Sequence, residues 1–140
     1  MPPATVASAI DSGHLSADEQ AYMEGLRPYL DVLVGEGRAL EQLGQSRSRN
    51  IVELTVRMDR YRGAAKDIDQ YIQHHQAPTG LADFVGQLQQ QIADSLQAID
   101  ASVDAIRHFD WEALGGTVDA FSAAVDSIAT LAGTPLAASG

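Results

Sequence analysis

The sequence contains no cysteine, so it offers no disulfide framework, no thiolate nucleophile and no cysteine-ligated zinc site. Cations are also scarce, with nine basic against 19 acidic residues among 140 and a net charge of -10. An acidic chain repels phosphate backbones and anionic lipid surfaces, and binding to either requires aligned cations. Six of the nine basic residues lie between Arg47 and Lys66, but on a helix they point in several directions among acidic neighbours. We therefore predict no nucleic-acid partner.

Long apolar runs are missing as well, because no stretch approaches the ~18 apolar residues that a membrane-spanning helix needs. We predict no direct membrane insertion. The first residues, MPPATVASAIDSG, carry no basic leader. The expectation is a soluble protein that is either cytoplasmic or extracytoplasmic with its leader removed.

Strand signals are absent too, since valine and isoleucine do not alternate with polar residues and no Asn-Gly or Asp-Gly turn occurs. Four segments instead repeat apolar residues at intervals of three and four, which is typical of amphipathic helices. They predict helices at about 17–43, 48–75, 80–108 and 111–132. Short turns between long helices favour an all-α, antiparallel up-down-up-down four-helix bundle. We predict one domain over 16–133, preceded by a mobile or short helical segment, 1–15, and followed by a mobile tail, 134–140.

Each predicted helix has a continuous apolar stripe. The expected core positions are Met23, Leu26, Leu30, Leu33, Gly37 and Leu40; Ile51, Leu54, Met58, Tyr61, Ala65, Ile68 and Ile72; Phe84, Val85, Leu88, Ile92, Leu96, Ile99, Val103 and Ile106; and Trp111, Leu114, Val118, Phe121, Val125, Ile128 and Ala132. The third stripe contains a stutter at Ile92 to Leu96. Gly37 in a core position predicts close approach of a neighbouring helix or room for a large side chain opposite.

The helix ends carry capping signals. Ser16 and Glu19 form a capping box, and Thr79 and Asp110 are predicted N-caps of the third and fourth helices. Pro28 predicts a kink in the first helix, because proline removes a backbone donor and clashes with the preceding turn. The pair Gly115-Gly116 leaves open a later start of the last helix at Thr117, although the unbroken heptad favours continuity.

Two groups of residues that contain histidine are candidate functional sites. His74 and His75 are adjacent, and adjacent helical side chains point about 100° apart, so they do not readily hold one metal ion. We interpret them as residues that finish a helix, where imidazolium groups interact well with exposed carbonyls. Asp104 and His108 lie four residues apart on one face and are the weak candidates for a surface metal site, with Asp110 or Glu112 nearby. The simpler interpretation of this pair is an exposed ion pair.

No catalytic constellation is visible. The sequence has no glycine-rich phosphate loop after a strand and no inward-facing Glu-x-x-His motif of the kind found in di-iron bundles. We therefore predict no catalytic residue, no cofactor and no assigned metal site, and a protein that is not an enzyme.

The leading functional prediction is a non-enzymatic interaction or scaffold module, with a protein partner or self-association. Its candidate contact residues are Tyr29, Val34, Val52, Val56 and Tyr71, which flank the predicted stripes. The alternative is a bundle that binds a small apolar ligand in an interhelical cavity, left by the small core residues Gly37 and Ala65. The pattern does not decide between a monomeric bundle and a dimer of helical hairpins.

The segment from about residue 70 to 132 adds a weak resemblance. It comprises a proline-containing turn, a long helix, Asp110-Trp111 and a final alanine-rich helix, GGTVDAFSAAVDSIATLAG. In these features it resembles small uncharacterised helical-bundle domains of bacterial secreted proteins and lipoproteins. The resemblance implies an extracytoplasmic location and no known activity.

Overall fold

The structure is a computed structural model that describes residues 16–46 and 50–139, with side chains described as far as Ala132. These residues contain four long helices and no strand. The helices are α1 (Ala17–Gln45), α2 (Ile51–His74), α3 (Ala82–Arg107) and α4 (Trp111–Ser139), with a short 3₁₀ turn, Thr79–Leu81, before α3.

The helices form the predicted four-helix bundle, in which each long helix packs against two neighbours. Gly25 of α1 lies beside Tyr71 of α2, and Gly37, further along α1, lies beside Tyr61, which is earlier in α2. These two helices therefore run antiparallel. Gly37 also faces Val125 of α4, while Gly44 faces Val118, so α1 and α4 run antiparallel as well.

Side-chain caps explain where α1 and α4 begin. The Ser16 hydroxyl accepts a hydrogen bond from the Glu19 N–H, and the Glu19 carboxylate accepts one from the Ser16 N–H, which confirms the capping box. Asp110 accepts from the Ala113 N–H at 3.0 Å, so α4 begins at Trp111 and not at Thr117. The prediction for Thr79 was wrong: it begins the 3₁₀ turn, and α3 starts without a side-chain cap.

The predicted stripes of α1 and α4 form the core, and most of the α2 stripe does so too. Ile51 is the clearest exception, because its side chain is 39% exposed at the first position of α2. Gly37 allows close packing as expected. A Cβ at this position would lie 3.0 Å from Val125 Cγ2 and 3.1 Å from Tyr61 Cε1.

The core face of α3 matches the predicted one except at Leu96 and Val103. Ser95 is fully buried and Ser102 is 4% exposed, whereas Leu96 and Val103 are only partly buried. The face through Leu88, Ile92, Ser95, Ile99, Ser102 and Ile106 follows a regular four-three spacing without the predicted stutter. The serines are tolerated because they are hydrogen-bonded: Ser95 bonds to Tyr61 and Ser102 to Thr117, both at 2.7 Å.

Two prolines lie within helices. α1 is continuous through Pro28, the position of the predicted kink. α4 continues beyond residue 132 to Ser139, although the sequence predicted a tail from 134. A proline removes one backbone donor, and helix-forming residues lie close to both Pro28 (Leu26 and Leu30) and Pro135 (Leu136 and Ala137), so a single lost bond does not end either helix. The prediction for residues 1–15 lies outside the described residues.

Candidate functional site: the groove between α2 and α3

An open groove of about 500 Å³ runs between α2 and α3. Its floor is aliphatic and consists of Ala65, Ile68 and Ile92, which are all buried. Ile72 and Leu96 are partly buried and form its apolar walls. On α2 the groove extends from Arg62 to Ile72, which corresponds to ~15 Å along the helix.

The groove exists because α2 and α3 pack together less extensively than the other three neighbouring pairs of long helices. Ala65 on α2 and Ala93 on α3 both line it, and neither fills the space between the helices. The register of α3 adds to this arrangement. Because Ser95 takes the core position, Leu96 faces the groove and supplies apolar surface there.

The rim of the groove carries charges of both signs, but they are not equivalent. Arg62 bonds to Asp100 across the groove at 3.0 Å and contacts Asp59 on its own helix at 3.4 Å. Asp69 accepts a hydrogen bond from Gln73 at 2.8 Å. Lys66, which also lines the groove, makes no ion pair with any residue that the structure describes. It is the available cation of the rim.

The weak metal candidates are brought together without forming a metal centre. His108 Nδ1 lies 3.6 Å from the Asp104 carboxylate, and both side chains are more than 70% exposed. His108 Nδ1 also lies 2.8 Å from the Asp104 carbonyl oxygen, and Asp110 caps α4. Within residues 16–46 and 50–139, no group of three or more His, Asp or Glu side chains is arranged to hold a metal ion.

His74 and His75 occupy the end of α2, as predicted. The Nδ1 atom of His74 lies 2.7 Å from the Gln70 carbonyl oxygen, and that of His75 lies 3.0 Å from the Tyr71 carbonyl oxygen. Both imidazoles therefore bond to carbonyls of the last helical turn. His75 also stacks on Tyr71, with ring centroids 4.2 Å apart.

Tyr71 is the centre of an aromatic cluster at this end of the bundle. Its ring also contacts those of Tyr22 and Tyr29, and its hydroxyl donates to the Tyr22 carbonyl oxygen at 2.8 Å. A second depression of about 490 Å³ borders the cluster, between the start of α1 and the turn after α2. Burial raises the pKa values of Tyr22 and Tyr71 above the ordinary value of 10.0.

Large apolar side chains are exposed at the opposite end. Val52 is 74% exposed and Phe109 is 68% exposed, at the start of α2 and just after α3. The sequence singled out Val52 and Val56, both of which are exposed, but not Phe109. Tyr71 and Val34, also predicted contact residues, pack partly into the core, while Tyr29 is 40% exposed.

Of the two small residues expected to leave a cavity, only Ala65 lines one. The space beside Gly37 is filled by the side chains of Val125 and Tyr61. The groove could not be predicted from the α2 stripe alone, because the wall that α3 forms depends on which face of α3 is buried. The one available signal was Ser95, whose hydroxyl suits a core position only when a partner such as Tyr61 lies opposite.

Comparison with known proteins gives no match to a family model, a curated protein or a solved structure. Among the described residues, none of the helices has the length and apolar character required to cross a bilayer.

Proposed function

We propose that this protein is a non-enzymatic binding module and that the groove between α2 and α3 holds a small apolar molecule. The observation that carries the proposal is the aliphatic floor of Ala65, Ile68 and Ile92 beneath a solvent-open groove. A volume of about 500 Å³ lies within the range of small-molecule sites, roughly 300–1,000 Å³. An apolar ligand would cover the partly exposed Ile72 and Leu96 and the exposed Ala93, and burying this apolar surface favours binding.

The test uses N-phenyl-1-naphthylamine, a neutral apolar dye that fluoresces when it leaves water. Wild-type protein should bind it saturably with one site per chain. Ala93→Trp places an indole in the groove from an exposed backbone position and should abolish dye binding without unfolding the bundle.

Ala101→Trp is the matched control, because Ala101 is exposed on the same helix and does not line the groove. It should bind dye as the wild type does. Equal dye binding by the two tryptophan variants would contradict the proposal. Native mass spectrometry of the purified protein adds a second readout, since a co-purifying mass absent from Ala93→Trp supports it.

A second candidate is the interaction or scaffold role, and the exposed Val52 and Phe109 favour it. A contact with a second copy would remove both side chains from water. Light scattering over a range of protein concentrations should then show a dimer, and the double variant Val52→Ser/Phe109→Ser should be monomeric. A wild type that stays monomeric at every concentration would exclude self-association through these residues.

A further inference from the structure

We infer that the groove selects amphipathic anions with a single alkyl chain, such as a medium-chain carboxylate, and that Lys66 holds the head group. This inference rests on the proposed function of the groove as a small-molecule site. The apolar floor fits an alkyl chain of any head group, so the choice among head groups depends on the charges of the rim.

Among the rim cations, Lys66 favours an anionic head group, because it has no ion-pair partner among the described residues whereas Arg62 has two. Arg62 is neutralised by Asp100 and Asp59, and Asp69 is hydrogen-bonded to Gln73 on the next turn of its own helix. Lys66 is exposed, lies four residues beyond Arg62 on the same side of α2, and has no ion pair among the described residues. A ligand carboxylate would supply the missing anion.

Lys66 also stands in the right place for this role. It lines the groove together with the buried Ala65 and Ile68 of its own helix, so its stem lies at the edge of the aliphatic floor. Lysine side chains lay their methylene stems along apolar surface and keep the ammonium group in water. A carboxylate on the ammonium group therefore places the first carbons of its chain over Ala65 and Ile68.

The acidity of the whole chain does not remove this preference. The net charge of -10 is distributed over the molecule, and charges more than ~10 Å away are largely screened at moderate salt. The Lys66 ammonium has no ion pair among the described residues, so its charge is available to an anionic head group.

The length of the groove and its closed end favour a ligand with one alkyl chain over a ligand with two. Its length on α2 is ~15 Å, and Arg62 and Asp100 bridge it from one helix to the other. This bridge closes one end of the groove. The space that remains accommodates an extended medium-length chain, whereas a two-chain lipid would leave much of its apolar surface in water.

The experiment is displacement of N-phenyl-1-naphthylamine by decanoate and by decyltrimethylammonium, which share the alkyl chain and differ in charge. Wild type should release the dye at a lower concentration of decanoate than of the cation. Relative to decyltrimethylammonium, Lys66→Gln should weaken decanoate binding by about fivefold, the size of one exposed ion pair. Lys66→Arg should retain the preference.

Arg60→Gln is the matched control, because Arg60 is exposed on α2, does not line the groove, and its loss changes the net charge by the same amount. The inference is overturned if decanoate and decyltrimethylammonium displace the dye equally. It is also overturned if Arg60→Gln weakens decanoate binding as much as Lys66→Gln does. In those cases dye binding still supports the groove as a site. If wild type binds neither the dye nor, by calorimetry, decanoate, the proposed function fails together with the inference.

Discussion

Tyr61 of α2 contacts each of the other three helices. It belongs to α2, its ring contacts Gly37 of α1 and stacks edge-on against Phe121 of α4, and its hydroxyl donates to Ser95 of α3 at 2.7 Å. The residue is fully buried. Burial raises the pKa of its phenol to about 12, while the hydrogen bond to Ser95 acts in the opposite direction.

This shift predicts a loss of stability at alkaline pH. Below about pH 10 the phenol is protonated in both states, so its contribution is complete. Between pH 10 and about 12 the unfolded chain loses the proton and the folded chain keeps it. In this range the contribution of Tyr61 to the free energy of unfolding therefore falls by about 1.4 kcal/mol per pH unit.

Urea unfolding at pH 8 and pH 11 measures the effect. Tyr61→Phe should show a smaller decrease between the two pH values than the wild type, although Tyr22 and Tyr71, whose pKa values are also raised, leave part of it. An equal decrease in both proteins would show that folding does not raise the pKa of the Tyr61 phenol.

Glycine at position 37 is required by packing rather than by backbone conformation. Gly37→Ala should lower the free energy of unfolding by roughly 1–3 kcal/mol, since the new methyl group would press on Val125 and Tyr61, which are both fully packed. Gly63→Ala is the control, because nothing lies within 4 Å of a Cβ there. It should raise stability by roughly 0.5–1 kcal/mol through helix propensity. Denaturant titration compares the two, and a stabilised Gly37→Ala would contradict the packing argument.

At the scale of a helix, the end of α3 contains an unusual residue. The Phe109 N–H bonds to the Ile106 carbonyl oxygen at 3.1 Å and the Asp110 N–H to that of Ala105 at 2.9 Å, which is a Schellman motif. The position that usually holds glycine is occupied by Phe109 with φ 52°, in the left-handed region. Its side chain is also exposed, so it gains little packing in return.

Phe109→Gly should therefore raise the free energy of unfolding by about 1 kcal/mol, because glycine adopts this conformation without a Cβ penalty. Phe109→Ala is the matched control. It removes the ring but keeps the Cβ, so it should not show the same gain. Thermal unfolding of the three proteins distinguishes relief of backbone strain from loss of an exposed ring, and equal stabilisation by alanine would exclude strain.

The helices themselves were largely predictable from the sequence, whereas the exact face of α3 was not. Capping residues such as Ser16 and Asp110 fix helix starts through local hydrogen bonds, which depend only on nearby residues. The choice of Ser95 over Leu96 as a core residue depends on Tyr61, which is 34 residues away in the sequence. Hydrophobicity alone favours leucine, so Leu96 was predicted as the core residue in place of Ser95, and the apolar wall that Leu96 gives the groove was missed.

At the scale of the whole molecule, the bundle followed from four apolar stripes and short turns, because antiparallel packing buries all the stripes together. The groove does not follow from those rules. It reflects an unequal distribution of packing around the bundle, in which α2 and α3 meet least. Such a difference arises from small residues on two facing helices, Ala65 and Ala93, and single-helix patterns contain no information about what faces them.

The same packing predicts that one buried charge disrupts the entire domain. Leu54 is 2% exposed and Ile99 is 1% exposed, so Leu54→Asp or Ile99→Asp places a carboxylate among apolar side chains. Burying an unpaired charge costs several kcal/mol, a large share of the ~5–15 kcal/mol that holds a domain together. Either variant should lose cooperative thermal unfolding, measured by circular dichroism at 222 nm. Val52→Asp, two residues from Leu54 and 74% exposed, should melt as the wild type does, and a normal melt for Leu54→Asp would contradict the assigned core.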